Sequence, residues 1–103
     1  MINIKSSSWK VKIVEEAAKV FQSKELTEED KVVIRLWAEM VALHGPSRLL
    51  ERADIWADHP LHGEWEGYRS SSFSYKGRII YKVEDKIITI LVVRISVEHN
   101  YRK

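Results

Sequence analysis

Apolar and polar residues follow two different periods along this chain, and the change of period divides it. In the first half apolar residues recur every three or four positions, at Trp9, Ile13, Ala17, Val20 and Phe21. That spacing predicts one helix face, with Lys10, Lys12, Glu15, Glu16 and Lys19 on the wet side. Trp9 to Ile13 also alternates as a strand would, so the start of this helix stays open. Ser6, Ser7 and Ser8 precede it, and any of them can cap a helix by accepting from a free backbone N–H. Ile2-Asn3-Ile4 alternates too, and reads as a short strand.

A second helix opens at Thr27. Threonine is a good N-cap, and Glu28, Glu29 and Asp30 put negative charge at the positive end of the helix dipole. Val33, Leu36, Trp37, Met40, Val41 and His44 form its apolar stripe. Gly45 suits the left-handed position after the helix, Pro46 stops it, and His44 complements its negative end. The two helices form a hairpin through the polar turn Lys24-Glu25-Leu26. Residues 46–58 then read as a connector. Leu49, Leu50 and Ala53 can make a helical turn in it, and Ile55 and Trp56 pin it to the core.

The period then changes to two. Gly63 and Gly67 bracket a bend or bulge. Tyr68 to Tyr75 can be a strand, although Ser70, Ser71 and Ser72 weaken its apolar pattern. Arg78 to Glu84 is better: Ile79, Tyr81 and Val83 alternate with Arg78, Ile80 and Lys82. Ile87 to Ile95 is apolar on both faces, so it belongs in the middle of a sheet or under cover on both sides. A two-residue turn at Glu84-Asp85 would set Arg78 opposite Leu91 and join Arg78, Ile80 and Lys82 to Ile87, Thr89 and Leu91 on one face. An arginine beside aliphatics there is an anion site with apolar walls. Helices first and strands afterwards predict a single α+β domain over residues 1–103. Its two N-terminal helices pack on one face of a small, mainly antiparallel twisted sheet.

Composition narrows the function. A hydrophobic share of 45% with 31% charged residues is that of an ordinary globular protein, which excludes a disordered chain. With no cysteine there are no disulfides, thiolate metal sites or cysteine nucleophiles. The 4 histidines are not spaced as helical metal ligands, so neither a metal nor another cofactor is expected. No apolar run approaches the roughly 20 residues of a membrane helix, and the N-terminus has no signal-peptide core. A cytoplasmic protein without a membrane partner is expected. Net charge is only +2, but residues 1–63 carry 9 Lys/Arg against 10 Asp/Glu and residues 64–103 carry 8 against 5. The positive surplus lies in the sheet half, where it suits a polyanion or simply a solvated strand face. The four tryptophans read as core and core-rim residues, and His62 as facing solvent. Tyr68, Phe73 and Tyr75 can stack RNA bases, but aromatics in strands usually pack.

Three motifs in the second half resemble the RelE/ParE superfamily of bacterial type II toxins, most of all its YafQ and YoeB branches. Asp58-His59-Pro60-Leu61-His62-Gly63-Glu64-Trp65-Glu66-Gly67-Tyr68-Arg69 is similar to a YafQ-type lead-in. Arg78-Ile79-Ile80-Tyr81-Lys82-Val83 resembles the arginine-aliphatic-aliphatic-tyrosine strand of RelE and YoeB. His99-Asn100-Tyr101 falls where the family's C-terminal catalytic residues lie. The resemblance covers the last 46 residues well and the helical half in layout only.

The resemblance implies a RelE-like fold and a metal-independent endoribonuclease that cleaves messenger RNA in the ribosomal A site. It further implies a cognate antitoxin protein that lies on the toxin. In such chemistry the RNA 2′-hydroxyl attacks the adjacent phosphate. One group takes the 2′ proton, another protonates the 5′ oxygen, and positive charge steadies the phosphorus. By position His59 matches the general base, Arg78 the phosphate-stabilising arginine and His99 the general acid. Histidine suits either proton role because both its forms exist near neutral pH. Arginine offers a planar, always charged fork to two phosphate oxygens. Arg69, Lys76, Lys82, Arg94, Arg102 and Lys103 are candidates for contacts to the RNA backbone, and Tyr101 for stacking on a base. The chain departs from the family pattern where Ser72 replaces a YafQ-type histidine, where Lys76-Gly77 replaces Asp-Trp, and where Asn100 separates His99 from Tyr101. Two other functions fit the same fold. One is a ParE-like toxin that binds DNA gyrase without chemistry; the other is a decayed member that only binds an antitoxin-like partner. The pairing of His59 with His99 favours the nuclease.

Overall fold

The computed structural model describes residues 9–95. The alternation from Trp9 prevails over the helical spacing, because those residues find a sheet edge to complete. Lys10–Ile13 forms strand β1. Helix α1, Glu15–Phe21, starts only after it, with Val14 at the N-cap and no side-chain cap. Ser6, Ser7 and Ser8 are therefore not its cap; they and Ile2-Asn3-Ile4 lie outside the described residues.

Helix α2, Glu28–His44, starts where Thr27 predicts. Thr27 Oγ1 accepts from the Asp30 N–H and Asp30 Oδ2 accepts from the Thr27 N–H, both at 3.0 Å, a reciprocal cap. Trp37 and Val41 of the expected stripe are fully buried and Val33 and Met40 pack beside them, but Ile34 joins them in place of Leu36, which is exposed. Gly45 has positive φ but extended ψ (90°, 161°), so it is not a left-handed helix cap. Its need for glycine is also steric, since a Cβ there would lie 2.8 Å from Trp9 Nε1. The connector folds as a 3-10 segment, Pro46–Arg52, and a single helical turn α3, Ala53–Trp56. Trp56 enters the core as expected, whereas Ile55 is exposed.

The remaining strands are β2 (His59–Pro60), β3 (Arg69–Ser72), β4 (Gly77–Glu84) and β5 (Ile87–Ile95). The sheet order is β1-β5-β4-β3-β2. Among the described residues only the β1–β5 pairing is parallel, so the sheet is mixed but mainly antiparallel. Strand β5, apolar on both faces, is interior to the sheet, as its pattern requires. Strand β3 is shorter than the expected Tyr68 to Tyr75 because residues 73–76 form the turn into β4. Gly63 opens a 3-10 turn, Gly63–Trp65, and Gly67 follows it, so the two glycines bracket a bend and not a bulge.

The β4–β5 register differs from the expected one. The turn residues are Asp85 and Lys86, both at positive φ, so Glu84 pairs with Ile87. A bulge follows, in which Tyr81 pairs with Ile90 and Ile80 with Val92, leaving Leu91 as the extra residue. Arg78 therefore lies opposite Arg94, not Leu91.

The helices cover one face. Ile79, Tyr81, Ile88, Ile90 and Val93 pack there against Ala17, Ile34, Trp37 and Val41. Trp37 meets Tyr81 edge-on at 5.1 Å between ring centres. Strand alternation turns the intervening residues to the other face, which no helix among the described residues covers.

Candidate functional site

Alternation decides which side chains meet. Strand pairing puts Pro60, Arg69 and Tyr81 on the helix-covered face, together with Ser71 and Ile79. It puts His59, Ser70, Ser72, Ile80 and Arg78 on the open face. Asp58 and His59, adjacent in sequence, thus point to opposite sides of the sheet.

Asp58 is the centre of a buried polar network. Its side chain is 1% exposed. Its carboxylate accepts from Arg69 Nε at 2.7 Å, Ser71 Oγ at 2.6 Å and Tyr81 Oη at 2.5 Å. Trp37 Nε1 donates to Ser71 Oγ at 2.9 Å and so extends the network into α2. A buried carboxylate is tolerated when its lone pairs are filled and a cation stands beside it. Burial pushes the Tyr81 phenol well above its ordinary pKa, the hydrogen bond and charge of Asp58 add to the rise, and Arg69 opposes it. Burial works against the charge on Arg69, but its hydrogen bond to Asp58 and the Asp58 charge outweigh that and raise its pKa. Arg69, a candidate for RNA contact by sequence, is instead committed to Asp58 and only 32% exposed.

The open face has a different character. His59 Nδ1 lies 2.8 Å from the Ala57 carbonyl oxygen. A carbonyl can only accept, so Nδ1 carries the proton, and in the neutral ring Nε2 is left with a bare lone pair. That is the tautomer a general base needs. Ala57 is itself held at positive φ, at the end of α3. Arg78 Nη1 donates to the carbonyls of Gly77 (2.9 Å), Tyr75 (3.2 Å) and Ser74 (3.4 Å). Two strand spacings and two residues along the strand separate His59 from Arg78, about 12 Å between Cα atoms. Between them on that face lie Ser70, which is buried, and Ser72, which is half-buried.

Positive charge gathers around this pair. By alternation Lys10, Lys12, Lys82, Arg78 and Arg94 all belong to the open face. Arg78 and Arg94 are directly opposite one another, an unfavourable pairing unless an anion bridges it. Neither makes an ion pair among the described residues. Lys82 reaches Glu84 at 3.5 Å and sits 5.9 Å from the centre of the Tyr68 ring. Lys76 is exposed in the turn before β4. Beside Arg78 a cleft of about 460 Å³ opens between α3 and that turn, lined by Ile55, Ala57, Ser72, Ser74, Tyr75 and Arg78 among others. Among the described residues no three His, Asp or Glu side chains come together as metal ligands, and no helix is long and apolar enough to cross a membrane.

Strand pairing thus places His59 and Arg78 on one face of the sheet, with Lys82 and Arg94 on the same face, and Arg69 on the other. His99, Tyr101, Arg102 and Lys103 lie outside the described residues. His62 is exposed, as expected, 3.9 Å from Glu66. Asp58 went unnoticed as a sequence candidate. The signal that points to it is three serines in a strand that must bury one face, which calls for a polar partner inside.

No protein-family model matches the chain. Among curated proteins it is similar to the mRNA interferase toxin YafQ of Escherichia coli K12, 41% identical over 34 residues. That stretch is 33% of this chain and spans 37% of YafQ, about a third of each. Among solved structures it is similar to the archaeal RelE–RelB complex of Pyrococcus horikoshii OT3, at a TM-score of 0.68 and 19% identity, covering 90% of this chain and 100% of that one. The YoeB–YefM complex of Staphylococcus aureus matches at 0.67 and 18%, over 87% of this chain and 99% of that one. YafQ of E. coli BL21(DE3) matches at 0.59 and 18%, over 86% and 94%. The chain has the fold of the RelE, YoeB and YafQ toxins.

Proposed function

We propose that this protein is the toxin of a type II toxin–antitoxin pair and a metal-independent endoribonuclease that cuts messenger RNA in the ribosomal A site. The observation that carries the reading is the His59 ring, whose contact with the Ala57 carbonyl leaves Nε2 as a proton acceptor on the same cationic face as Arg78. The likeness to YafQ, named an mRNA interferase toxin, supports it.

In this reading His59 Nε2 takes the proton from the RNA 2′-hydroxyl. The 2′ oxygen attacks the neighbouring phosphorus as the bond to the 5′ oxygen breaks. His99 gives the departing 5′ oxygen its proton. The products are a 2′,3′-cyclic phosphate and a 5′-hydroxyl end, so atoms and charge balance. Arg78 neutralises the charge that builds on the phosphate oxygens. Lys76, Lys82 and Arg94 hold the RNA backbone, with Arg102 and Lys103 beyond the described residues in the same role and Tyr101 stacking on a base. Arg69 serves the fold through Asp58.

The partners are ribosome-bound messenger RNA and an antitoxin, and the protein acts in the cytoplasm where both are found. The similar RelE and YoeB structures are complexes with RelB and YefM, which supports an antitoxin for this chain as well.

The test is induction of wild type, H59A, R78A and H99A in a bacterial host, with messenger RNA 5′ ends mapped. Codon-phased cuts with wild type, reduced about 100-fold or more in each variant, are the expected result. Growth arrest without cuts but with trapped gyrase–DNA complexes would replace the nuclease with a gyrase-binding toxin. No effect from any protein would leave only antitoxin binding.

A further inference from the structure

The turn between β3 and β4 holds its aromatic ring in water. Tyr75 is 90% exposed. An aromatic side chain ordinarily buries a large area and contributes to stability by doing so. Of the three aromatics that the sequence offers for stacking here, Phe73 is buried in the core and Tyr68 packs edge-on against Trp65 at 5.3 Å. Tyr75 alone of the three is fully presented.

The turn that presents it is tightly built. The Phe73 N–H donates to the Gly77 carbonyl at 3.1 Å, and the Gly77 N–H donates to Ser74 Oγ at 2.9 Å. The Phe73 ring lies so close beneath Gly77 that a Cβ there would come within 2.4 Å of it. Arg78 Nη1 clamps the turn from below, and one of the carbonyls it holds is that of Tyr75 itself. The guanidinium thus holds the backbone that carries the ring, and both residues line the cleft beside α3. Asp54, the carboxylate on that wall, is already bound by Arg52 at 3.0 and 2.7 Å, so it does not repel an anion with a free charge.

A flat ring in water, an arginine beside it and the hydroxyls of Ser72 and Ser74 match the parts of one nucleotide: base, phosphate and sugar. We propose that Tyr75 is the stacking platform for an unpaired RNA base next to the phosphate that Arg78 holds. This rests on the nuclease reading and adds a base-binding subsite to it. Base–aromatic stacking tolerates any base, so the subsite steadies the strand and orients the cut without reading a single letter.

The test uses the full chain as wild type, Y75A, Y75F and Y75W. The probe is a short single-stranded RNA carrying 2-aminopurine, with a 2′-deoxy sugar at the cleavage position so that it binds without being cut. Stacking quenches 2-aminopurine fluorescence. The expected result is quenching with wild type, Phe and Trp and its loss with Ala. Affinity for the RNA should fall about 10- to 100-fold in Y75A, while thermal unfolding is unchanged because the ring supports no packing. Cleavage of ribosome-bound message is measured alongside, with a raised KM expected in Y75A. Equal quenching and equal affinity in Y75A would overturn the subsite while wild-type cleavage still upheld the nuclease. An effect of Y75A on antitoxin binding but none on RNA would overturn it as well. Wild type that neither binds nor cuts RNA would bring down the nuclease reading and the subsite together.

Discussion

Two arginines nine positions apart, Arg69 and Arg78, sit on neighbouring strands of one sheet and have opposite fates. Arg69 points to the helix-covered face, where Asp58 takes its charge and Ser71 and Tyr81 fill the remaining acceptor sites. Arg78 points to the open face, opposite Arg94, with backbone carbonyls for neighbours and no carboxylate bound to it among the described residues. Residue type does not separate them; the parity of their strand position does. A saturated polar network contributes to stability and presents little to a ligand. An unsaturated one costs some stability and leaves charge available for binding. The Asp58-His59 pair compresses the same contrast into one peptide bond. The carboxylate anchors the chain inside, and the next side chain is delivered outside.

The largest expected effect comes from opening the closed side. Asp58→Ala would leave Arg69, Ser71 and Tyr81 without their common acceptor in a buried site. Loss of one partner from such a network costs about 3 kcal/mol or more, a fall in Tm on the order of 15 °C for a domain of this size. Thermal unfolding followed by circular dichroism measures it. A Tm within a few degrees of wild type would mean that the network is incidental to the fold.

Exchanging the two arginines' losses sharpens the contrast. Arg69→Ala should destabilise the fold by about 2 kcal/mol while leaving cleavage per folded molecule near wild type. Arg78→Ala should do the reverse, with cleavage down about 100-fold and stability down by no more than about 1 kcal/mol. Measuring unfolding and single-turnover cleavage on both proteins decides it. If both variants lose stability alone, the open face is no active site.

The three strands of the meander and the long helix were legible because their signals are local. Thr27 and Asp30 form a cap within four residues, and the strand Ile87 to Ile95, rich in β-branched and apolar residues on both faces, required a place inside the sheet. The register was not legible. Asp85 and Lys86 adopt positive φ without the asparagine or glycine that advertises such a turn, so the neighbouring Glu84-Asp85 looked equally good. The bulge at Leu91 then shifted the far end of the pairing by one more residue. His59 and Arg78 could be picked out by spacing within a motif. The Asp58 network could not, because its members are 11, 13 and 23 residues from the aspartate and meet only once the sheet and α2 are assembled. That distance also explains why Arg69 looks from sequence like any basic strand residue.

The smallest effect distinguishes the two faces by pH. Tyr81 donates its phenolic proton to Asp58, and burial beside that charge raises its pKa above the ordinary value of about 10. In the unfolded chain the phenol ionises near that ordinary value. Between the two values the unfolded state releases a proton that the folded state keeps. The contribution of this group to stability is therefore fully present below about pH 10 and is lost as pH rises through the folded pKa. The expected slope there approaches, at most, about 1.4 kcal/mol per pH unit. Urea unfolding at neutral pH and above pH 10 reads it, with Tyr81→Phe as the control. The variant is less stable at neutral pH, by about 1 kcal/mol for the lost hydrogen bond. It should lose this part of the alkaline decline, so the gap to wild type narrows as pH rises. A decline that survives Tyr81→Phe unchanged would show that the buried phenol is not what holds the closed face together at high pH.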